Sequence, residues 1–294
     1  MPPPFAFWGT AKDWRNPMTP VASHHEDGPK TLLDGAVLPA GQGPVKDLQD
    51  ALDVVFAHPN VGPFLAYRLI QRLVTSNPSP GYVARVASVF NDNGVGVRGD
   101  LEQVVKAILF DAEARQGTIA AAPTFGHLRE PMISFVSVLR AFDGRAPSGR
   151  FPVWYIDDVG QAPFRSPSVF NFFSPFYRRP GIIADAGLTS PEFQIASQST
   201  VIELANTLHG LIYWGHGPSA DRVKLNLWTE QQLAVTPDRL LDRLDVILFG
   251  GRLSPALRQV VLDAVNEIPI DEAQDRARAA VSLLVRSPEY LIQK

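Results

Sequence analysis

Apolar positions recur at helical spacing over most of the chain. From Asp47, residues Leu48, Ala51, Leu52, Val55 and Phe56 share one helical face, and His58-Pro59 ends the run. Phe64, Leu65, Leu69, Ile70, Leu73 and Val74 predict a second amphipathic helix. A third starts at Ser79-Pro80, buries Tyr82, Val83, Val86, Val89 and Phe90, and closes at Asn93-Gly94. Asp100, with Gln103 three residues on, opens a fourth over a stripe of Leu101, Val104, Val105, Ile108 and Leu109. A fifth covers about 126–142. Later helices are expected from Ser190-Pro191 to Leu211, Thr236-Pro237 to Phe249, Ser254-Pro255 to Val265, and Asp271 to Val285. The Ser/Thr-Pro starts predict one device throughout: a hydroxyl caps free amides, and proline sets φ where no donor is needed. No further repeat period and no alternating run of strand length stand out.

Two stretches break this rhythm. Residues 1–46 read as an irregular, proline-rich arm whose Phe5, Phe7, Trp8 and Trp14 need an apolar partner. Residues 143–187 hold Phe151, Trp154, Tyr155, Phe164, Phe170, Phe172, Phe173, Phe176 and Tyr177 among prolines 147, 152, 163, 167, 175 and 180. Long ordered connections of this kind often carry function, and these are side chains of buried type. The pattern therefore predicts an all-α fold: a helical bundle in two groups, 47–142 and 188–294, joined by an aromatic, proline-rich connection over 143–187.

Composition narrows the function classes. The 294 residues carry a net charge of −3, which gives no long-range attraction to nucleic acid or an anionic membrane, and basic residues do not cluster with aromatics. With no cysteine there is neither a disulfide nor a thiolate nucleophile or ligand. No apolar run approaches the ~20 residues that span a bilayer, and the first residues lack the basic and apolar regions of a signal peptide. The sequence holds no Gly-x-Ser-x-Gly, no phosphate-cradling loop ending in Lys-Ser/Thr, no His-Glu-x-x-His and no Gly-x-Gly-x-x-Gly after a strand. No cofactor is predicted.

Several segments, in order, resemble a bacterial family, the domain of unknown function 1800. They are His58-Pro59-Asn60-Val61-Gly62-Pro63-Phe64, the run Leu69 to Pro80, Tyr82-Val83-Ala84-Arg85-Val86 and Val97-Arg98-Gly99-Asp100-Leu101. Arg129-Glu130-Pro131, the run Ser166 to Pro175, Pro191-Glu192-Phe193-Gln194-Ile195 and Ser287-Pro288-Glu289-Tyr290 complete the set. The resemblance runs from about residue 25 to the end. It implies a bacterial exported protein, periplasmic or extracellular, usually longer at its N-terminus and often found beside a sulfatase-like partner. On that basis the chain is expected to correspond to the C-terminal portion of its module, with an N-terminal half as a further partner. The family supplies no reaction.

Candidate chemistry lies in a few places. Glu130 and Glu192 each stand at a predicted helix start. Facing one cleft they would suit glycoside hydrolysis, one as acid and the other as base or nucleophile. Alternatively both are cap-related carboxylates, held low by the helix dipole, one of them pairing with Arg129 or Arg140. Asn171, flanked by Phe170 and Phe172, is a candidate ligand-orienting amide. Arg129, Phe172, Trp154 and Tyr177 are grouped with it as ligand-binding residues. The plainer alternative is an asparagine that satisfies loop backbone inside an aromatic mini-core. His24-His25-Glu26-Asp27 is the densest set of potential ligands for a divalent metal, although neighbours in an irregular arm seldom converge on one ion. Arg98-Gly99-Asp100 spells an adhesion tripeptide, but Asp100 is explained as an N-cap. His209 and His216 flank an aromatic turn and read as structural. Three functions stay open: a binding or assembly module, a polysaccharide hydrolase using Glu130 and Glu192, and a metal-dependent enzyme.

Overall fold

Residues 15–116, 124–151 and 158–294 are described by the structure, a computed structural model. Trp154, Tyr155 and the aromatics of the first fourteen residues lie outside the described residues. The chain divides into two compact units, 1–64 and 65–294.

In the first unit, β1 (Lys30–Thr31) pairs antiparallel with β2 (Val37–Leu38), Lys30 opposite Leu38. Helix α1 (Pro44–Ala57) starts on proline, three residues earlier than the apolar pattern suggests. Its Leu48, Leu52, Val55 and Phe56 stay exposed. Asp47 in the first turn is buried and accepts from His25 Nε2 (2.8 Å) and Gln42 Nε2 (2.8 Å), with Lys30 Nζ at 2.7 Å. The supposed irregular arm is thus tied to α1 through one carboxylate. The chain enters the second unit along α2 (Val61–Leu73).

The second unit is predominantly helical. After α2 come α3 (Pro80–Asn91), α4 (Leu101–Phe110) and α5 (Ala112–Gln116), then β3 (His127–Leu128) and α6 (Pro131–Ala141). Between α6 and the next long helix lie α7 (Ile182–Asp185) and a 3-10 turn at Pro191–Gln194. Helices α8 (Gln198–Tyr213), α9 (Trp228–Leu233), α10 (Pro237–Leu244), α11 (Pro255–Asn266), α12 (Ala273–Val285) and α13 (Pro288–Leu291) follow. The chain returns to pair β4 (Ile292–Gln293) with β3. A π-helical turn, Asp245–Phe249, extends α10 and stops at left-handed Gly250 (φ 62°).

One apolar core organises this unit. Phe135, Val138 and Leu139 of α6 pack with Leu204, Leu208 and Leu211 of α8, Leu240 and Leu241 of α10, Val261 and Val265 of α11, and Val281 and Leu284 of α12. Each buried side chain of this kind contributes about 1.5–3 kcal/mol relative to exposure. Helix α6 therefore shares its core with the helices that follow the connection. Further from it, α3 and α4 bury Tyr82, Val86, Phe90, Val104 and Ile108, and the Tyr82 hydroxyl donates to the Ile108 carbonyl at 2.6 Å. Leu101, Val105 and Leu109 stay exposed, so only Val104 and Ile108 of the five-residue α4 stripe are core.

The serine-proline starts divide into two kinds. Ser79 accepts from the Tyr82 amide and Ser254 from that of Leu257, as capping requires. Each of these serines is itself held by a glutamate. Glu113 accepts from the amide and hydroxyl of Ser79, and Glu289 from those of Ser254, 34 and 35 residues downstream. The segments α3–α4–α5 and α11–α12–α13 thus share a repeated device, a capping serine held by a glutamate of the short third helix, which the apolar spacing does not reveal. Thr236 makes no side-chain cap. Ser190 makes none either: its hydroxyl accepts from the Arg179 amide, and Ser190-Pro191 opens the 3-10 turn rather than α8. Helix α8 starts seven residues later, capped by Ser197 onto the Thr200 amide. The last long helix is preceded by Glu272, with no side-chain cap from Asp271.

Candidate functional site

Helix α2 brings Arg68, Gln71 and Arg72 to one side, since residues three and four apart share a helix face. The connection is stitched against that side by polar bonds between residues more than a hundred positions apart. Gln71 Nε2 donates to the carbonyl of Pro175 (3.1 Å) and to the hydroxyl of Thr189 (3.2 Å). The Asn77 side-chain amide accepts from the Thr189 N–H (2.8 Å) and donates to the Thr189 carbonyl (2.9 Å). The Arg68 guanidinium lies 4.2 Å from the Phe176 ring and that of Arg72 4.8 Å from Phe173. These contacts enclose a cleft of about 200 Å³ lined by Arg68, Gln71, Arg72, Phe170, Asn171, Phe173, Pro175, Pro191 and Glu192.

Glu192 is the unusual member. Its place in the 3-10 turn leaves it 2% exposed, and its Oε2 is buried with no hydrogen-bond partner among the described residues. Burial raises its carboxyl above the ordinary value, opposed by a hydrogen bond to its own backbone and by the charges of His127 and Arg72, and assisted by that of Glu130. It thus holds its proton more tightly than an ordinary glutamate, the reverse of what a helix-dipole position suggests. Glu130 stands differently. It precedes α6 without capping it, pairs with Arg72 (2.7 Å) and accepts from the Gln161 amide. Its partner is neither Arg129 nor Arg140. Two carboxyl groups within electrostatic reach of each other thus have opposite surroundings, one dry and unpaired, the other ion-paired.

The rim of the cleft is aromatic and open. Phe170 is 80% exposed, Phe164 and Phe176 are exposed, and only Phe173 of these rings is buried. Among the described residues, Phe164, Phe170 and Phe176 are therefore not packed into an aromatic mini-core. Asn171 sits at the rim in the left-handed region (φ 75°), a conformation that asparagine tolerates, and its backbone N–H donates to the Ser168 carbonyl (3.3 Å). Phe164 adopts the same region (φ 59°), which is strained for a bulky side chain.

The other sequence candidates fall elsewhere. Phe172 lines a neighbouring cleft of about 420 Å³ with Gln161, Arg165 and Ile195. Arg129 lies 4.2 Å from the Tyr290 ring and does not line the Glu192 cleft. Tyr177 serves the loop backbone, its carbonyl accepting from the Ser190 amide. Trp154 lies outside the described residues. His24 is exposed, and both ring nitrogens of His25 are engaged, by Asp27 (3.2 Å) and Asp47 (2.8 Å). Among the described residues no three His, Cys, Asp or Glu side chains are placed to hold a metal ion, and no helix is long and apolar enough to cross a membrane. His209 stacks on Tyr213 (4.4 Å) and meets Ser282 (3.3 Å), a packing role. Arg68, Gln71 and Arg72 were not singled out by sequence. Their signal is slight: two arginines four apart flanking a glutamine on an otherwise apolar helix.

The family model described as "Protein of unknown function (DUF1800)" matches residues 7–292. The chain belongs to that family. The match begins well before residue 25 and takes in nearly the whole chain, so the expectation that the chain is only a C-terminal portion of the family's module is not borne out. No curated protein and no solved structure is significantly similar to it.

Proposed function

We propose that this member of a family without an assigned reaction is a glycan-binding module of the bacterial cell exterior, and that the Glu192 cleft is its binding site. The observation that carries the proposal is the Glu192 carboxyl, buried to 2% exposure yet with one oxygen unpartnered in the cleft wall. An unsatisfied buried polar atom costs about 1–3 kcal/mol, a cost that a ligand hydroxyl reaching that oxygen would offset. The open Phe170 ring supplies a flat apolar face of the kind that stacks on a sugar ring, and the Asn171 amide stands beside it. A cleft of about 200 Å³ admits one ring-sized unit, less than the roughly 300–1,000 Å³ of a full small-molecule pocket. The rest of a polymer would lie outside.

A glycan array probed with the wild-type chain, Phe170→Ala and Glu192→Gln tests this. A bound glycan whose affinity falls at least about tenfold in Phe170→Ala is expected; a wild-type chain that retains no glycan contradicts the proposal. The contrast between Glu192 and Glu130 also makes hydrolysis the reaction to assay, with Glu192 as proton donor; Glu130, outside the cleft lining and paired with Arg72, would have to leave that arginine to act as base. New reducing ends released by the wild type and lost in both Glu192→Gln and Glu130→Gln would identify a hydrolase. Silence in that assay leaves a binding module.

A second reading, assembly with the sulfatase-like neighbour implied by the family resemblance, is favoured by the exposed Phe164, Val169 and Ile182. Co-purification of the two proteins, lost in Phe164→Ser with Ile182→Ser, is the expected result. Failure of the wild-type pair to associate would remove this reading.

A further inference from the structure

We infer that the unit seated in the Glu192 cleft carries an anionic group, a carboxylate or a sulfate, received by Arg72 and Arg68 with the buried Glu192 carboxyl as a third donor. This inference rests on the glycan-binding reading above and specifies the class of glycan.

Two guanidinium groups line a space of about 200 Å³, and the lining contains a single carboxyl group. Like charges four residues apart on a helix repel each other, so α2 bears a cost for presenting both to the same cleft. Glu130 answers part of it, but through Arg72 Nη1, and Glu130 is not in the cleft wall. Arg72 is also set against the face of Phe173, and Arg68 against that of Phe176. Stacking of this kind fixes the plane of a guanidinium, and a fixed planar fork matches the two oxygens of a carboxylate or sulfate. The site is therefore preorganised for an anion before any ligand arrives.

Glu192 agrees with this arrangement. Facing an anion, a carboxylate at that position would repel it, whereas a carboxylic acid would donate to it through the oxygen that now has no partner. The charged groups acting on it are Arg72 of α2, His127 of β3 and Glu130 before α6, while burial favours the proton. Anion and proton are then expected to bind together.

The test is calorimetric titration of the full chain with matched oligosaccharides: galactan as the neutral form, galacturonan as the carboxylate and O-sulfated galactan as the sulfate. Binding of one acidic form at least about tenfold tighter than galactan is expected, and which acidic form wins identifies the anion. Arg72→Gln should abolish that preference, while Arg239→Gln, an exposed cation on α10, should leave it intact. Glu192→Gln, which keeps a donor but cannot titrate, should bind the acidic form equally at pH ~5 and ~8, whereas the wild type weakens as pH rises. Galactan bound as tightly as both acidic forms overturns the inference and leaves the glycan-binding reading standing. Equal loss in Arg72→Gln and Arg239→Gln also overturns it, since the attraction would then be nonspecific. No binding to any form overturns both. If Arg72→Gln fails to fold, the wild-type ranking decides, together with Arg72→Lys, which keeps the charge without the fork and should retain only part of the preference.

Discussion

Glu192 couples stability to pH in a direction that can be worked out. Its carboxyl is raised in the folded state above the ordinary value of 4.5, chiefly by burial. The folded chain therefore holds that proton more tightly than the unfolded chain does. The resulting stabilisation is complete below pH 4.5 and is lost as pH rises through the folded value. Replacing it by the non-titrating Glu192→Gln should remove this slope. Urea denaturation from pH ~4 to ~8 is expected to show the wild type losing stability relative to the variant; a difference that stays constant with pH would contradict it. Asp47 runs the other way. Hydrogen bonds from Lys30, Gln42 and His25 hold its carboxyl down at about 2, so its contribution is present above 3.8 and fades as pH falls towards 2. Because Asp47 and Asp27 engage both His25 ring nitrogens, EDTA is expected to leave the melting temperature unchanged, whereas Asp47→Asn lowers it. A fall of several degrees in EDTA would restore a metal to this segment. Sequence singles out Glu192 and His25 but not their settings. Neither the dryness of one nor the clamp around the other is written in neighbouring residues.

Among the elements, capping separates what local sequence encodes from what it does not. Ser79, Asp100 and Ser254 cap where their spacing says, because an N-cap needs only an oxygen and an amide two or three residues on. Ser190 and Thr236 have the same Pro neighbour and no cap, since competing partners and local geometry decide. Ser79→Ala should therefore cost about 1–2 kcal/mol in chemical denaturation, and Thr236→Ala only a few tenths. Equal costs would mean that the hydroxyls play the same part in both helices. The glutamates behind the two capping serines extend this to the repeated device. Glu113→Gln and Glu289→Gln should each cost about 1 kcal/mol, with Ser254 and Glu289 non-additive in a double-mutant cycle because they share one contact. That repeat escaped the apolar pattern because its linking residues are polar and stand 34 and 35 positions apart.

At the scale of the whole molecule, the all-α architecture was legible from apolar periodicity, and the importance of the aromatic connection from its composition. The cleft was not, because it joins Arg68–Arg72 to residues 170–192, and a chain pattern does not say which distant segments meet. Nor does it say which aromatics stay outside: Phe170 and Phe173 look alike in sequence, yet one is 80% exposed and the other buried. The overall charge of −3 gives the chain no field to gather a polyanion, so recognition of an acidic sugar must come from the cleft itself. Affinity for an acidic oligosaccharide should accordingly fall only a few-fold between ~50 and ~200 mM salt, while a loss of ~10³-fold would indicate a diffuse charged surface instead. The most direct measurement is a crystal structure of the chain with the acidic oligosaccharide it binds best. The anionic group is expected between Arg72 and Glu192, with the next sugar face on Phe170. A ligand bound elsewhere, with the Glu192 cleft empty, would contradict that placement.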